Sequence, residues 1–151
     1  MGANAGRSGA VAARAWHRAV SVLLDTHYVY AIAGAPGRLS PAEAKYLTTH
    51  AEPFRISAVS LWEIRLKWAS LFKSGQRKGP LGPDQVLRIL AGQNIELLPM
   101  TAAHAAATLQ APLAHHDPFD EMLLLQAQTE GLVLLTRDDK LRSHPLSISA
   151  A

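Results

Sequence analysis

At 151 residues and 16.3 kDa, the chain has room for one domain and little more. Hydrophobic residues at 48% exclude a wholly disordered chain, and the lack of cysteine excludes disulfides and thiolate metal sites. The formal net charge of +3 equals the contribution of Arg7, Arg14 and Arg18, which precede any acid, so the remainder is neutral and the basic pI says little about a nucleic-acid surface.

Residues 1–19 are rich in Ala, Gly and Arg and contain no apolar h-region, so they read as a disordered leader rather than a secretory signal. Gly6 breaks the myristoylation pattern of the Met-Gly start. Residues 20–151 read as the folded domain. Val20–Leu24 predicts a buried strand ending at Asp25, followed by a helix over 26–33 that stops at Gly34. Ser40, Pro41 and Glu43 carry the N-cap, N1 and N3 signals of a second helix. Phe54–Ala58 predicts a second strand, and Leu61–Trp68 a helix. Residues 73–83 hold three Gly and two Pro and predict a loop. A helix over 84–90, a strand over 94–98 and an Ala-rich helix from Thr101 to about Leu109 follow. Asp117-Pro118 opens a helix running to Glu130, and Leu132–Leu135 predicts a fourth strand. Residues 144–148 predict a short fifth. Strands that alternate with helices and read as continuous apolar runs predict a three-layer α/β/α sandwich around a parallel sheet of four to five strands. No apolar run is long enough to span a bilayer, and a cytoplasmic location is the default expectation.

Ligands of open parallel sheets bind beyond the carboxyl ends of the strands. Asp25 ends the first strand, Glu63 lies in the helix after the second, and Asp138 follows the fourth. Asp120, Leu123, Leu124 and Ala127 fall at i, i+3, i+4 and i+7, so Asp120 heads the buried stripe of its helix. Like charges gathered at one edge require protonation or a cation, and a hard divalent ion with oxygen ligands suits them. Each acid also has a structural use. Asp25 and Asp117 fit N-caps, Ser60 and Glu63 have capping-box spacing, and Asp138 lies in a turn.

The segments Leu23–His27, Ile56–Ile64, His115–Asp120 and Leu134–Asp138 together resemble the PIN domain, and most of all the branch of VapC-type toxins of bacterial toxin–antitoxin pairs. The resemblance covers residues 20–150 in order. It implies an Mg²⁺-dependent endoribonuclease, with Mn²⁺ as an alternative ion, that leaves 5′-phosphate and 3′-hydroxyl ends. By motif match Asp25, Glu63, Asp120 and Asp138 take the catalytic metal-binding positions. Thr136 matches a supporting hydroxyl, and Asp117 is a second supporting residue. A small antitoxin that occludes the site and a homodimer are implied as well. The sequence departs from the pattern at Glu121 and His116, where basic residues are expected, which bears on RNA contacts rather than on the acids.

Arg65, Lys67, Lys73, Arg77 and Lys78 form an acid-free basic stretch directly after Glu63. It is read as an RNA phosphate contact, with a solvated loop as the plain alternative. His27 is expected near the site as a packing or hydrogen-bonding group, and His115 and His116 match no metal-ligand spacing. Trp62 and Trp68 are expected in helix packing or an interface. The rival reading is a PIN-like module that binds RNA or protein without turnover. A phosphoacceptor domain is disfavoured because Asp25 is followed by Thr26-His27 and not by a second Asp.

Overall fold

A computed structural model describes residues 20–34 and 38–150. Expectations about residues 1–19 lie outside the described residues. Five parallel strands, β1 (Val22–Leu24), β2 (Phe54–Ser57), β3 (Ile95–Leu98), β4 (Val133–Leu135) and β5 (Ser147–Ile148), form one sheet in the order β3-β2-β1-β4-β5. Six helices accompany them among the described residues: α1 (Thr26–Ala33), α2 (Pro41–Thr49), α3 (Ala58–Ala69), α4 (Pro83–Leu90), α5 (Ala102–Ala106) and α6 (Pro118–Glu130). None is long and apolar enough to cross a membrane.

Alternation along the strands divides the core. Val22, Leu24, Ile56 and Leu135 face one side, where they meet Tyr28 and Val29 of α1, Ile64 of α3, and Val86 and Leu90 of α4. Leu23 and Leu134 face the other, against Val59 of α3 and Leu123, Leu124 and Ala127 of α6. The expected three layers and parallel sheet are therefore present, with the fifth strand as β5.

Local signals set most of the boundaries. Ser40 and Glu43 form a reciprocal capping box, with Pro41 at the first helical position. Glu43 does more than cap. It is buried, accepts from the Tyr28 hydroxyl at 2.8 Å, and pairs with Arg137 at 3.0 Å. Burial pushes its carboxyl up, but the Ser40 backbone, Tyr28 and Arg137 outweigh that and hold it below its usual value. Gly131 ends α6 in the left-handed conformation (φ 67°), and its N–H donates to the Ala127 carbonyl.

Four expectations change. β1 begins at Val22 rather than Val20. β2 ends at Ser57, and Ala58 already belongs to α3. The N-cap of α3 is Ser57, whose Oγ accepts from Val59 N at 2.9 Å, so Ser60 is inside the helix and the Ser60–Glu63 capping box does not form. The Ala-rich helix stops at Ala106, short of Leu109. Beyond it the extended chain is satisfied by one side chain of α6: Gln128 accepts from Gln110 N at 2.9 Å and donates to the Thr108 carbonyl at 3.0 Å. These tertiary bonds, with Leu109 and Leu113 packed on the core, override the helix propensity of alanine.

Candidate active site

β1 is the central strand, and the chain order reverses direction around it, with β2 and β3 on one side and β4 and β5 on the other. Crevices of open sheets form at such a switch point. Asp25 is the first residue past β1, and its N–H donates to the Leu135 carbonyl of β4 at 3.1 Å. Its buried side chain has two separate tasks. Oδ1 accepts from Tyr28 N at 3.2 Å and caps α1, while Oδ2 accepts from the Thr136 hydroxyl at 2.5 Å. Thr136, fully buried at the end of β4, also accepts from Asp138 N at 3.1 Å. One hydroxyl thus ties the acid after β1 to the turn after β4.

Glu63 lies in the second turn of α3, and Thr26 supports it from α1. The Thr26 hydroxyl donates to Ser60 Oγ at 3.1 Å, and its dipole helps to hold the Glu63 carboxyl down. Burial raises the Glu63 carboxyl, and Asp117 and Asp120 raise it further, against the opposing pull of Lys67 at 3.7 Å and of Thr26. Asp120 sits in the first turn of α6. Burial also raises its carboxyl, with Asp117 and Asp138 adding to the effect. His115 opposes this, since its Nε2–H donates to Asp120 Oδ2 at 2.9 Å. The charges of Asp117 and Asp120 act on Glu63, and those of Asp117 and Asp138 act on Asp120, so these carboxylates lie within electrostatic reach of one another. Asp25 joins them through Thr136 and through His27, whose imidazole it holds above the usual value from 3.9 Å, with a smaller contribution from Asp138.

The edge is shared but not closed. Among the described residues no three His, Asp or Glu side chains converge into a group that would grip a metal ion unaided. Asp117 is the N-cap of α6 and accepts from Phe119 N and Asp120 N at 2.8 and 3.1 Å, so its lone pairs serve the helix while its charge acts on Glu63 and Asp120.

The basic stretch separates into parts. Lys67 stands at the site beside Glu63 and close enough to His27 to oppose its protonation. Arg77 is exposed and lies along Trp68, donating to the Trp68 carbonyl at 2.6 Å with its guanidinium 4.4 Å from the centre of the Trp68 ring. Lys78 lies over Phe72. Arg65 and Lys73 are exposed, with no ion pair among the described residues. His27 is 60% exposed, so it does not pack in the core, and it faces Asp25 at ion-pair distance. Trp62 is half-exposed and meets Phe119 edge-on at 5.2 Å, joining α3 to α6 beside their acids.

Residue patterns did not single out Thr26 or His115. Thr26 follows Asp25 directly, and that adjacency was the available signal. His115 precedes its helix in an irregular segment, where no periodicity connects it to Asp120.

The family model described as PIN domain matches residues 22–145, a span that contains all four acids. The chain is 31% identical over 125 residues to "Ribonuclease VapC22" of Mycobacterium tuberculosis (strain ATCC 25618 / H37Rv), covering 82% of this chain and 92% of that protein. Among solved structures, DNA-bound VapBC from Salmonella typhimurium superposes with a TM-score of 0.58 at 17% identity, covering 87% of this chain and 99% of that one. A toxin–antitoxin complex from Klebsiella pneumoniae gives 0.53 at 16% identity, covering 87% and 98%. With the strand order, the acids at the sheet edge and a match across most of the domain in agreement, the chain belongs to the PIN domain family.

Proposed function

We propose that the chain is a divalent-metal-dependent endoribonuclease acting as the toxin of a toxin–antitoxin pair. The observation that carries the reading is the set of four acids at the C-terminal edge of the sheet, in a chain 31% identical to a VapC ribonuclease. The donor chemistry fits a hard cation: all four are carboxylates, and two of them, Glu63 and Asp120, are pushed toward protonation by burial and by neighbouring carboxylates. Mg²⁺ needs only one or two carboxylates and retains several waters, so an edge without a closed three-residue grip suits it, and Mn²⁺ is the second candidate. Asp25, Glu63, Asp120 and Asp138 are the candidate ligands, of which one or two would meet the ion directly and the others through its waters; when bound, the ion supplies water activation and stabilisation of the departing oxygen.

The remaining residues hold these acids in place. Thr136 fixes Asp25 Oδ2, Thr26 supports Glu63, and His115 restrains Asp120. Lys67 offers a cation at the site for a phosphate, with Arg65 and Lys73 free to track the RNA backbone outward. Arg77 and Lys78, held on Trp68 and Phe72, serve first to shape that loop. The partners in this reading are an RNA substrate, a small antitoxin protein and a second copy of the chain, in the cytoplasm.

The test is RNA cleavage with Mg²⁺ or Mn²⁺ by the wild type beside Asp25→Asn. Asn matches Asp as an N-cap, so the Tyr28 bond and the fold persist. Cleavage is expected to vanish in the variant and on chelation. Undiminished cleavage by Asp25→Asn, with contaminating nuclease excluded, sinks the mechanism.

A further inference from the structure

Two helices carry two of the acids, Glu63 on α3 and Asp120 on α6, and the seam between them has two fasteners. At the surface, Trp62 meets Phe119, each adjacent in sequence to an acid. In the interior the fastener is polar. Ser57 and Gln126 are both fully buried, and the Ser57 hydroxyl bonds the Gln126 side chain at 2.5 Å.

The direction of that bond is fixed by its neighbours. Gln126 Nε2 faces the Pro99 carbonyl at 3.3 Å, which can only accept, so Oε1 is the atom turned to Ser57. Ser57 Oγ accepts from Val59 N as the cap of α3, which leaves its single proton for Gln126. Gln126 Nε2 also lies 3.5 Å from His104 Nδ1. That nitrogen accepts from Thr101 N at 3.0 Å, and the opposite ring N–H donates to Glu130 at 2.7 Å. A single amide therefore joins the start of α3, the exit of β3, α5 and α6. A polar group that is completely buried and fully partnered fixes a single arrangement of the elements it joins. Ser57 caps the helix that carries Glu63, and Gln126 lies in the helix that carries Asp120, so their bond restrains how the two helices sit against each other.

We infer that Gln126, through Ser57, is a positioning residue that sets the relative placement of Glu63 and Asp120. This rests on the nuclease reading above. Gln126 is fully buried and cannot touch RNA, so its effect falls on metal affinity and turnover and not on substrate binding. Misplacement of reacting groups by a fraction of an ångström to an ångström is enough for a large loss of rate.

The experiment measures Mn²⁺ affinity by calorimetry, together with kcat and KM for RNA, in the wild type, Gln126→Met and Leu90→Ala. Leu90→Ala opens a cavity in the opposite core cluster and controls for lowered stability. Gln126→Met is expected to weaken Mn²⁺ binding and lower kcat by about tenfold or more, leaving KM unchanged. Leu90→Ala is expected to lower Tm with Mn²⁺ affinity intact. Gln126→Asn, whose shorter amide cannot span Ser57 and Pro99, is expected to behave as Gln126→Met does and serves if that variant fails to fold. Wild-type Mn²⁺ affinity and kcat in the folded variants, or losses matched by Leu90→Ala, overturn the role of Gln126 alone. A wild type that binds no Mn²⁺ overturns the nuclease reading and this role with it.

Discussion

Replacing Thr136 by Val preserves the shape of a fully buried side chain at the end of β4 and removes only its hydroxyl. That hydroxyl donates to Asp25 Oδ2 and accepts from Asp138 N. A hydrogen bond to a charged acceptor contributes about 1.5–3 kcal/mol and a neutral one about 1 kcal/mol. In the variant, buried Asp25 keeps only the Tyr28 amide, on its other oxygen. The added methyl group returns less than about 1 kcal/mol. The net expectation is a loss of roughly 2–3 kcal/mol, which for a domain of this size lowers Tm by about 6–9 °C. Thr136→Ser, which retains the hydroxyl, should stay within about 1 kcal/mol of the wild type, so the gap between the two variants isolates the bond. Calorimetric unfolding at pH 7 without divalent ions reads the first effect. Titration with Mn²⁺ reads the second, an affinity lower by about 10–100-fold because Asp25 has lost the partner that orients it. A Thr136→Val protein with the Tm and Mn²⁺ affinity of the wild type would refute the argument that this hydroxyl fixes Asp25.

Glu43→Gln is expected to reduce stability by roughly 2–4 kcal/mol at pH 7, since it leaves Arg137 facing a neutral amide. The Glu43 carboxyl is held below its usual value, so its contribution is complete above the unfolded value of about 4.3 and is lost as pH falls through the lower folded one. The two unfolding curves should therefore converge in acid, and a gap that is constant with pH would contradict the assignment. Tyr30→Phe should raise stability by about 1 kcal/mol, because the Tyr30 hydroxyl is buried with no hydrogen-bond partner. The same surroundings, burial first and the Glu63 charge second, push its phenol up to about 12, and ultraviolet titration of the wild type checks that value. Replacing both Arg65 and Lys73 by Gln should weaken RNA binding and reduce the slope of log affinity against log salt by about one to two units. An unchanged slope would remove them from the RNA path.

The layers of the fold were legible because their signals are local. The apolar runs at Val22–Leu24 and Val133–Leu135, the Ser40-Pro41-Glu43 start and the Asp117-Pro118 start each carry their meaning within a few residues. The expectation that Asp25, Glu63 and Asp138 share one edge followed from parallel strands, and that Asp120 joins them followed from the apolar stripe of its helix. Partners contributed by distant segments were not legible. The choice of Ser57 over Ser60 as the cap of α3 depends on where β2 leaves the sheet. The stop at Ala106 depends on Gln128, from the far side of the chain's next helix. The contact of Arg77 with Trp68 joins residues nine apart across a loop that carries no periodic signal. His115 and Glu43 acquired partners that no periodicity in the sequence connects to them.

The bond between Thr136 and Asp25 joins residues 111 positions apart, and β4 lies against β1 with no other strand between them. A chain is synthesised and folds from its N-terminal end. A nascent or truncated chain that ends before β4 can therefore contain Asp25, Glu63 and Asp120 and still lack the strand that neighbours the first acid and the turn that supplies Asp138. The edge is completed late, once residues 133–138 have emerged, so incomplete translation products carry most of the acids without the assembled crevice.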